Sequence, residues 1–76
     1  MRAYGHGGRS TGIAAYDYGD DWMKIAFEDG GVYEYLEADI GADHLEEMKL
    51  LADEGRGLNS YINAHSEVRN GCTGPL

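Results

Sequence analysis

A chain of 76 residues is long enough for one domain, but a domain of this size buries only about 60% of its unfolded surface and has little room for an enclosed active-site cleft. Its formal net charge of −8 repels nucleic-acid phosphates and favours basic partners. The chain has no apolar run near the ~20 residues of a membrane helix and no signal-peptide pattern, so we expect a cytoplasmic protein that does not enter membranes. Its single cysteine, Cys72, cannot form an internal disulfide.

The first part of the chain predicts an arm followed by strands. Residues 1–12 are rich in glycine and have no apolar period, so we interpret them as a flexible N-terminal arm. Residues 13–18 favour a first strand, and a glycine and two aspartates at 19–21 favour a turn. Met23, Ile25 and Phe27 then alternate with Lys24, Ala26 and Glu28, which is typical of a half-buried second strand.

The turn at residues 29–31 leads into a third strand and determines how the hairpin pairs. A two-residue loop would place a carboxylate on the apolar face. A three-residue loop with a glycine in the left-handed conformation pairs Phe27 with Tyr33 and Ile25 with Tyr35, which places the large side chains on one face. We therefore predict the three-residue loop and this register.

The apolar period becomes helical after the third strand. Asp39 is predicted to cap a helix that ends near Glu54, with Gly55 as its stop. A second short helix is predicted from Leu58 to about Ser66. The side chains predicted to form the core are Ile25, Phe27, Tyr33, Tyr35, Leu45, Met48 and Ile62. The expected fold is α+β, with a three-stranded antiparallel sheet followed by two helices packed on one face.

No catalytic or metal-binding pattern stands out in this chain. A zinc site needs three or four converging ligands, and His6, His44 and His65 have no ligand spacing between them. The serines, the threonines and Cys72 lie in no nucleophile elbow or triad pattern. We therefore predict a protein that is not an enzyme, with no metal site and no cofactor.

The acidic residues are concentrated in the predicted folded part. Residues 13–54 carry 13 of the 14 acids, whereas residues 1–12 carry two arginines and no acid. A solvated face that keeps the protein soluble is one explanation; imitation of DNA, which presents one charge per ~1.7 Å of its axis, is another. The predicted partner-binding residues lie in the two turns, on the outer sheet face and on the first helix: Asp20, Asp21, Glu28, Asp29, Glu34, Asp43, Glu46 and Glu47.

A set of short motifs is spread from Ser10 to about Val68. Its positions are Ile13, Tyr16-Asp17, Met23-x-Ile25-x-Phe27, Gly30, Tyr33-x-Tyr35, Gly57-Leu58-Asn59 and Ile62. Together they resemble the KTSC domain, named for the C-terminus of some lysyl-tRNA synthetases. The resemblance implies a KTSC-like α+β domain over residues 13–68 and an RNA-binding role. The glycines and the proline within residues 69–76 predict an irregular C-terminal tail. The family's usual proline before the helix is absent at Ala38-Asp39.

A second, shorter resemblance covers the helical part. The segment from Leu45-Glu46-Glu47-Met48 through Leu58-Asn59 to His65-Ser66-Glu67 is similar to part of a small acidic anti-CRISPR protein of the type I-F group. This resemblance implies a protein whose acids occupy a DNA-binding surface of a CRISPR complex.

Three functions remain open at this point. We predict a small acidic binding protein that masks a basic nucleic-acid-binding surface of a partner protein or complex, as an anti-CRISPR-like inhibitor or DNA mimic, without binding nucleic acid itself. The first alternative is a KTSC-type RNA or nucleic-acid accessory module that makes contacts through Arg2 and Arg9. The second is a homo-oligomer that sequesters a small ligand. One continuous negative face would favour masking, and a neutral groove lined by tyrosines would favour the alternatives.

Overall fold

Four strands and four helices follow one another in residues 1–5 and 12–76, the part of the chain that the computed structural model describes. The strands, joined in chain order into one antiparallel sheet, are β1 (Arg2–Ala3), β2 (Ile13–Tyr18), β3 (Trp22–Phe27) and β4 (Val32–Leu36). The helices are α1 (Glu37–Ile40), α2 (Ala42–Glu54), α3 (Leu58–Ala64) and α4 (Ser66–Asn70). The predicted α+β class is confirmed, whereas the predicted counts of three strands and two helices are wrong.

The additional strand, β1, lies in the segment that we interpreted as a flexible arm. It pairs with β2, and the next residue, Tyr4, is buried with its hydroxyl accepting a hydrogen bond from the Leu58 amide (3.0 Å). Two strand residues give no periodic pattern, and the contact of Tyr4 with α3 joins distant parts of the chain. Residues 6–11 of the predicted arm lie outside the described residues.

A bulge in β2 brings the apolar start of this strand onto the covered face of the sheet. Tyr16 lies opposite Ile25, but the register shifts before Ala15, so that Ile13 lies opposite Phe27. In an unbroken strand, residues three positions apart point to opposite faces. The extra residue at the bulge instead places Ile13 and Tyr16 on the same face, and both are buried.

The predicted pairing of β3 with β4 is wrong by two residues, although the predicted face is right. Ile25 lies opposite Tyr33, and Met23 lies opposite Tyr35. A shift of two residues does not change which side chains share a face. Met23, Ile25 and Tyr35 are therefore buried, while Phe27 and Tyr33 are half-buried and pack against the core.

The turn between β3 and β4 accounts for this shift. It has three loop residues, as predicted, but they are residues 28–30, because the Phe27 amide donates to the Gly31 carbonyl (2.8 Å). The Asp29 carboxylate accepts a hydrogen bond from the Gly31 amide (3.0 Å), a contact that favours tight turns. Gly30 has a φ of 101°, which glycine adopts without the steric cost of a Cβ atom. The loop is thus centred on Asp29.

The first predicted helix is divided by Gly41. This residue has a φ of 92° and a ψ of 153°, outside the helical region, so α1 ends before it and α2 begins after it. We had predicted that Asp39 caps one long helix. It instead lies inside α1. The predicted end of the helix is confirmed, because α2 stops at Glu54 and Gly55 is left-handed.

The second predicted helix divides at His65, which is extended with a φ of −120° and a ψ of 95°. The Nδ1 atom of His65 lies 2.8 Å from the Tyr61 carbonyl, the acceptor that the His65 amide would use in a continuous helix. The chain resumes as α4 and ends at Asn70, beyond the predicted end near Ser66. Val68 of α4 is fully buried, so this turn closes the core.

The core lies between one face of the sheet and the helices. Its buried side chains are Tyr4, Ile13, Tyr16, Met23, Ile25, Tyr35, Ile40, Leu45, Met48, Ala52, Leu58, Ile62 and Val68. The last residues run along the free edge of β4, where Thr73 bridges to Glu34 and the Leu76 amide donates to the Val32 carbonyl (2.7 Å). This part of the predicted irregular tail satisfies backbone groups that an edge strand would otherwise expose.

Replacing Ile25 with alanine is expected to lower the free energy of unfolding by about 2–5 kcal/mol, because the side chain is fully buried and its removal leaves a cavity. Val32→Ala is the matched control, since Val32 is half-buried on the opposite face of the same sheet, and it should cost less than half as much. Urea unfolding followed by circular dichroism measures both losses. Equal losses would contradict the assignment of the covered face.

Candidate functional site

Most of the predicted partner-binding acids lie around α1, α2 and the turn between β2 and β3. This turn contains Asp20 and Asp21 and is held against the helices by two hydrogen bonds. Lys49 Nζ donates to the Asp20 carbonyl (3.0 Å), and the Glu37 amide donates to the Asp21 carbonyl (2.9 Å). Asp20 also lines one groove together with Glu46 of α2. The turn and the outer side of α2 therefore form one surface.

We call this surface the acidic surface and define it by its exposed carboxylates. Its members are Asp20, Asp21, Glu37, Asp39, Asp43, Glu46 and Glu47. Five of them are among the eight predicted from the sequence, and the two on α1 were missed. The periodicity of an uninterrupted helix gave Asp39 a capping role, whereas the break at Gly41 leaves both α1 acids exposed.

The other three predicted acids are set apart from the acidic surface. Glu28 and Asp29 lie at the opposite end of β3, and their carboxylates accept hydrogen bonds from backbone amides: Glu28 from Gly12 (2.7 Å) and Asp29 from Gly31 (3.0 Å). Glu34 lies opposite Lys24 on the sheet face away from the core. Asp29 therefore supports the turn, Glu28 holds the backbone before β2, and Glu34 faces a lysine.

The cations beside the acidic surface are engaged with other groups. The guanidinium of Arg2 lies 4.8 Å from the Tyr18 ring centroid, and Lys49 Nζ lies 5.4 Å from the same centroid. Arg2 also lies 3.4 Å from the Asp53 carboxylate. Both cations are held over an aromatic ring and lie at the edge of the acidic surface, so they do not neutralise its outer carboxylates.

A hydrogen-bonded cluster ties the end of α2 to the sheet below these cations. The Asp53 carboxylate accepts hydrogen bonds from the hydroxyls of Tyr18 (2.6 Å) and Tyr16 (2.9 Å). The bond from Tyr18 has the largest effect and lowers the pKa of Asp53, with Tyr16 and Arg2 acting in the same direction. Burial, followed by the bond to Asp53, raises the pKa of Tyr16. The cluster holds α2 in place at neutral pH.

An aromatic cleft opens between the sheet and α3, and its volume is about 300 Å³. Its lining residues are Phe27, Tyr33, Tyr35, Asn59, Ile62, Asn63, Arg69 and Cys72. This volume is at the lower end of the range for small-molecule sites. Burial, with Cys72 as the next cause, raises the pKa of Tyr35, so its hydroxyl stays neutral. We had predicted that Tyr33 and Tyr35 both belong to the core, but only Tyr35 is buried.

The fold also brings together two histidines that are far apart in the sequence. The ring centroids of His44 and His65 are 5.1 Å apart, and Tyr61 contacts both rings. Glu67 Oε1 lies 3.0 Å from His44 Nε2. No spacing rule could reveal this cluster, because it depends on how α3 folds back against α2.

Asp53→Ala is expected to lower the free energy of unfolding at neutral pH by about 1 kcal/mol, because Asp53 accepts two hydrogen bonds but is 41% exposed. Its folded pKa lies below the ordinary value of 3.8. This stabilisation is therefore complete above that value and is lost as the pH falls through the lowered folded pKa. Urea unfolding of parent and variant at about pH 7 and about pH 2–3 measures the change. The same difference at both pH values would contradict this role.

Comparisons with known proteins give no relative from which a function could be taken. A scan against protein-family models finds no match to this chain, and searches of curated proteins and of solved structures find none either. The resemblances to the KTSC domain and to anti-CRISPR proteins therefore remain predictions. Among the helices of residues 1–5 and 12–76, none has the length and apolar character needed to cross a membrane.

Proposed function

We propose that this protein is a non-catalytic binding protein that masks a basic, nucleic-acid-binding surface of a partner protein or complex, as an inhibitor that imitates DNA. The observation that carries this proposal is the acidic surface, whose seven exposed carboxylates belong to the β2–β3 turn, α1 and α2, three elements that contact one another. The nearest lysine, Lys49, points back to the Asp20 carbonyl and the Tyr18 ring. The surface therefore presents mainly negative charge to a partner.

The charge density of this surface supports the comparison with DNA. The 13 residues of α2 span about 20 Å at 1.5 Å per residue. Duplex DNA of that length carries about 12 charges. α2 itself carries five carboxylates over this length, namely Asp43, Glu46, Glu47, Asp53 and Glu54, which is a little under half of the DNA value. A basic groove that accommodates a short duplex would therefore meet a negative field of the same order.

The carboxylates are also held on ordered backbone. The β2–β3 turn is fixed by its bonds to Lys49 and Glu37, and α2 is fixed by Leu45 and Met48, which are buried on its inner side. Ordering a flexible segment would cost binding free energy. Because the acidic surface lies on folded elements, this cost is small and the charges keep their spacing.

Charge reversal tests this proposal. The double variant Glu46→Lys/Glu47→Lys changes the acidic surface, and Glu28→Lys/Asp29→Lys is its control, because it changes the net charge equally at the other end of β3. Partners are captured from extract of the native host with the parent protein, and association rates are then measured at several salt concentrations. We expect the first variant to slow association by about tenfold or more at low salt, and the control to stay close to the parent.

Duplex DNA should also compete with the parent for the captured partner, and added salt should reduce the difference between parent and variant. Circular dichroism and thermal unfolding verify that both double variants remain folded. Association rates that do not change with salt or with reversal at Glu46 and Glu47 would refute the masking role and favour an apolar interface.

The aromatic cleft favours a second candidate function, the sequestration of a small ligand. The rings of Tyr33 and Phe27 offer stacking surfaces, and Asn63 and Arg69 offer amide and cationic groups around the same opening. These groups match a small planar molecule with an anionic substituent. The cleft is formed within a single chain, so binding would not require the oligomer that we had considered from the sequence.

Nuclear magnetic resonance titration with mononucleotides tests this second candidate, because a mononucleotide combines a planar base with an anionic phosphate. We expect chemical-shift changes around Tyr33 and α3 that disappear in Arg69→Ala and persist in Glu46→Lys/Glu47→Lys. Shifts that are confined to other regions, or no shifts at millimolar ligand, would rule out this use of the cleft. The KTSC-type accessory role has less support, since Arg2 is engaged with Tyr18 and Asp53. Its other predicted contact residue, Arg9, lies outside the described residues.

A further inference from the structure

Three side chains with metal-binding atoms converge beside the acidic surface. His44 comes from the first turn of α2, His65 lies at the junction of α3 and α4, and Glu67 lies in the first turn of α4. One ligand atom from each residue lies within 4.8 Å of the others. His44 Nε2 and Glu67 Oε1 lie 3.0 Å apart.

These separations are close to those of an occupied metal site. A tetrahedral zinc ion with bonds of about 2.0–2.1 Å separates its ligand atoms by about 3.3–3.4 Å. The pair formed by His44 and Glu67 is already near this distance. Because all three ligand atoms lie within 4.8 Å of one another, the other pairs need to approach by at most roughly 1.5 Å when a metal binds.

The two imidazoles hydrogen-bond through Nδ1, and their Nε2 atoms are the ones that a metal would bind. His65 Nδ1 lies 2.8 Å from the Tyr61 carbonyl, and because a carbonyl only accepts, Nδ1 carries the proton and Nε2 keeps its lone pair. His44 Nε2 lies 3.0 Å from the Glu67 carboxylate, which also only accepts, so Nε2 carries the proton and Nδ1 accepts from the Tyr61 hydroxyl (2.7 Å). A metal at His44 Nε2 would displace this proton, and Nδ1 would then donate to the Tyr61 hydroxyl. Metal-binding histidines usually have a partner of this kind on the nitrogen that does not bind the metal.

The surroundings favour a cation and leave room for it to enter. Both histidines are half-buried and Glu67 is exposed, so the site is open to solvent on one side. Asp43 directly precedes His44 in α2, Glu47 follows it by one helical turn, and Glu67 is itself one of the three residues. The local field is therefore negative where a cation would bind.

We propose that His44, His65 and Glu67 bind a divalent transition-metal cation of the zinc and cobalt class, with at least one coordination position open to water. Two imidazoles and one carboxylate suit Zn²⁺ and Co²⁺, whereas Mg²⁺ prefers oxygen ligands alone. The site does not depend on the masking function. The acidic surface could bind its partner without the metal, and the metal could bind without the partner.

Isothermal titration calorimetry of the full chain with ZnCl₂ tests the site, and Co²⁺ absorption reports its geometry. We expect one zinc ion per chain and the visible bands of a four- or five-coordinate cobalt ion. Zinc should also raise the Tm in a concentration-dependent way, because it binds the folded state. His65→Ala and Glu67→Gln should each weaken zinc binding by about 100-fold or more, and Tyr61→Phe should weaken it by about tenfold, as expected for a supporting partner.

Two controls separate this site from general attraction to acids or histidines. His6→Ala removes the third histidine of the chain, and Glu46→Gln removes an acid of the acidic surface that is not a proposed ligand. Both should retain zinc binding within severalfold of the parent, and Mg²⁺ should not compete. Three results would each overturn the proposal. The parent does not bind zinc, binding is lost in His6→Ala, or binding survives both His65→Ala and Glu67→Gln. Thermal unfolding verifies that each variant is folded.

Discussion

The rest of this structure depends on the burial of a single face of the sheet under the helices. A domain of this size has a core only one layer thick, and Met23, Ile25 and Met48 at its centre are fully buried. Because α2 places Leu45, Met48 and Ala52 on its inner side, the helical period of 3.6 residues turns its acids outward. The packing that stabilises the fold therefore also positions the carboxylates proposed to bind a partner.

The three surface features differ in chemistry. The acidic surface offers exposed charge on the outer side of α2, whereas the cleft offers aromatic rings beneath α3. The histidine cluster includes His44 of α2, which directly follows Asp43 of the acidic surface. A divalent cation bound there would reduce the net charge next to the acidic surface. Metal binding and partner binding are thus separate properties, but the charge of a bound metal would change the electrostatic field of the acidic surface.

Local patterns in the sequence predicted much of the fold, but they did not predict the features that depend on contacts between distant residues. Alternation identified β3 and β4, and Gly55 marked the end of α2, because these signals act over a few residues. The bulge in β2 and the burial of Tyr4 depend on the partners across the sheet and in α3. The hairpin register failed by two residues because the Asp29 carboxylate selects where the loop is centred.

The sequence likewise predicted only part of the candidate binding surface. Charge counts pointed to the acids of α2, but they could not separate Glu46, which is exposed on a helix, from Glu28, which binds a backbone amide.

Zero-length carbodiimide cross-linking of the protein to its captured partner is the most direct test of the proposed binding surface, because it joins carboxylates to lysines in contact. We expect cross-linked peptides that contain Asp20, Asp21, Glu46 or Glu47. Cross-links confined to Glu28, Asp29 and Glu34 would contradict the masking role of the acidic surface.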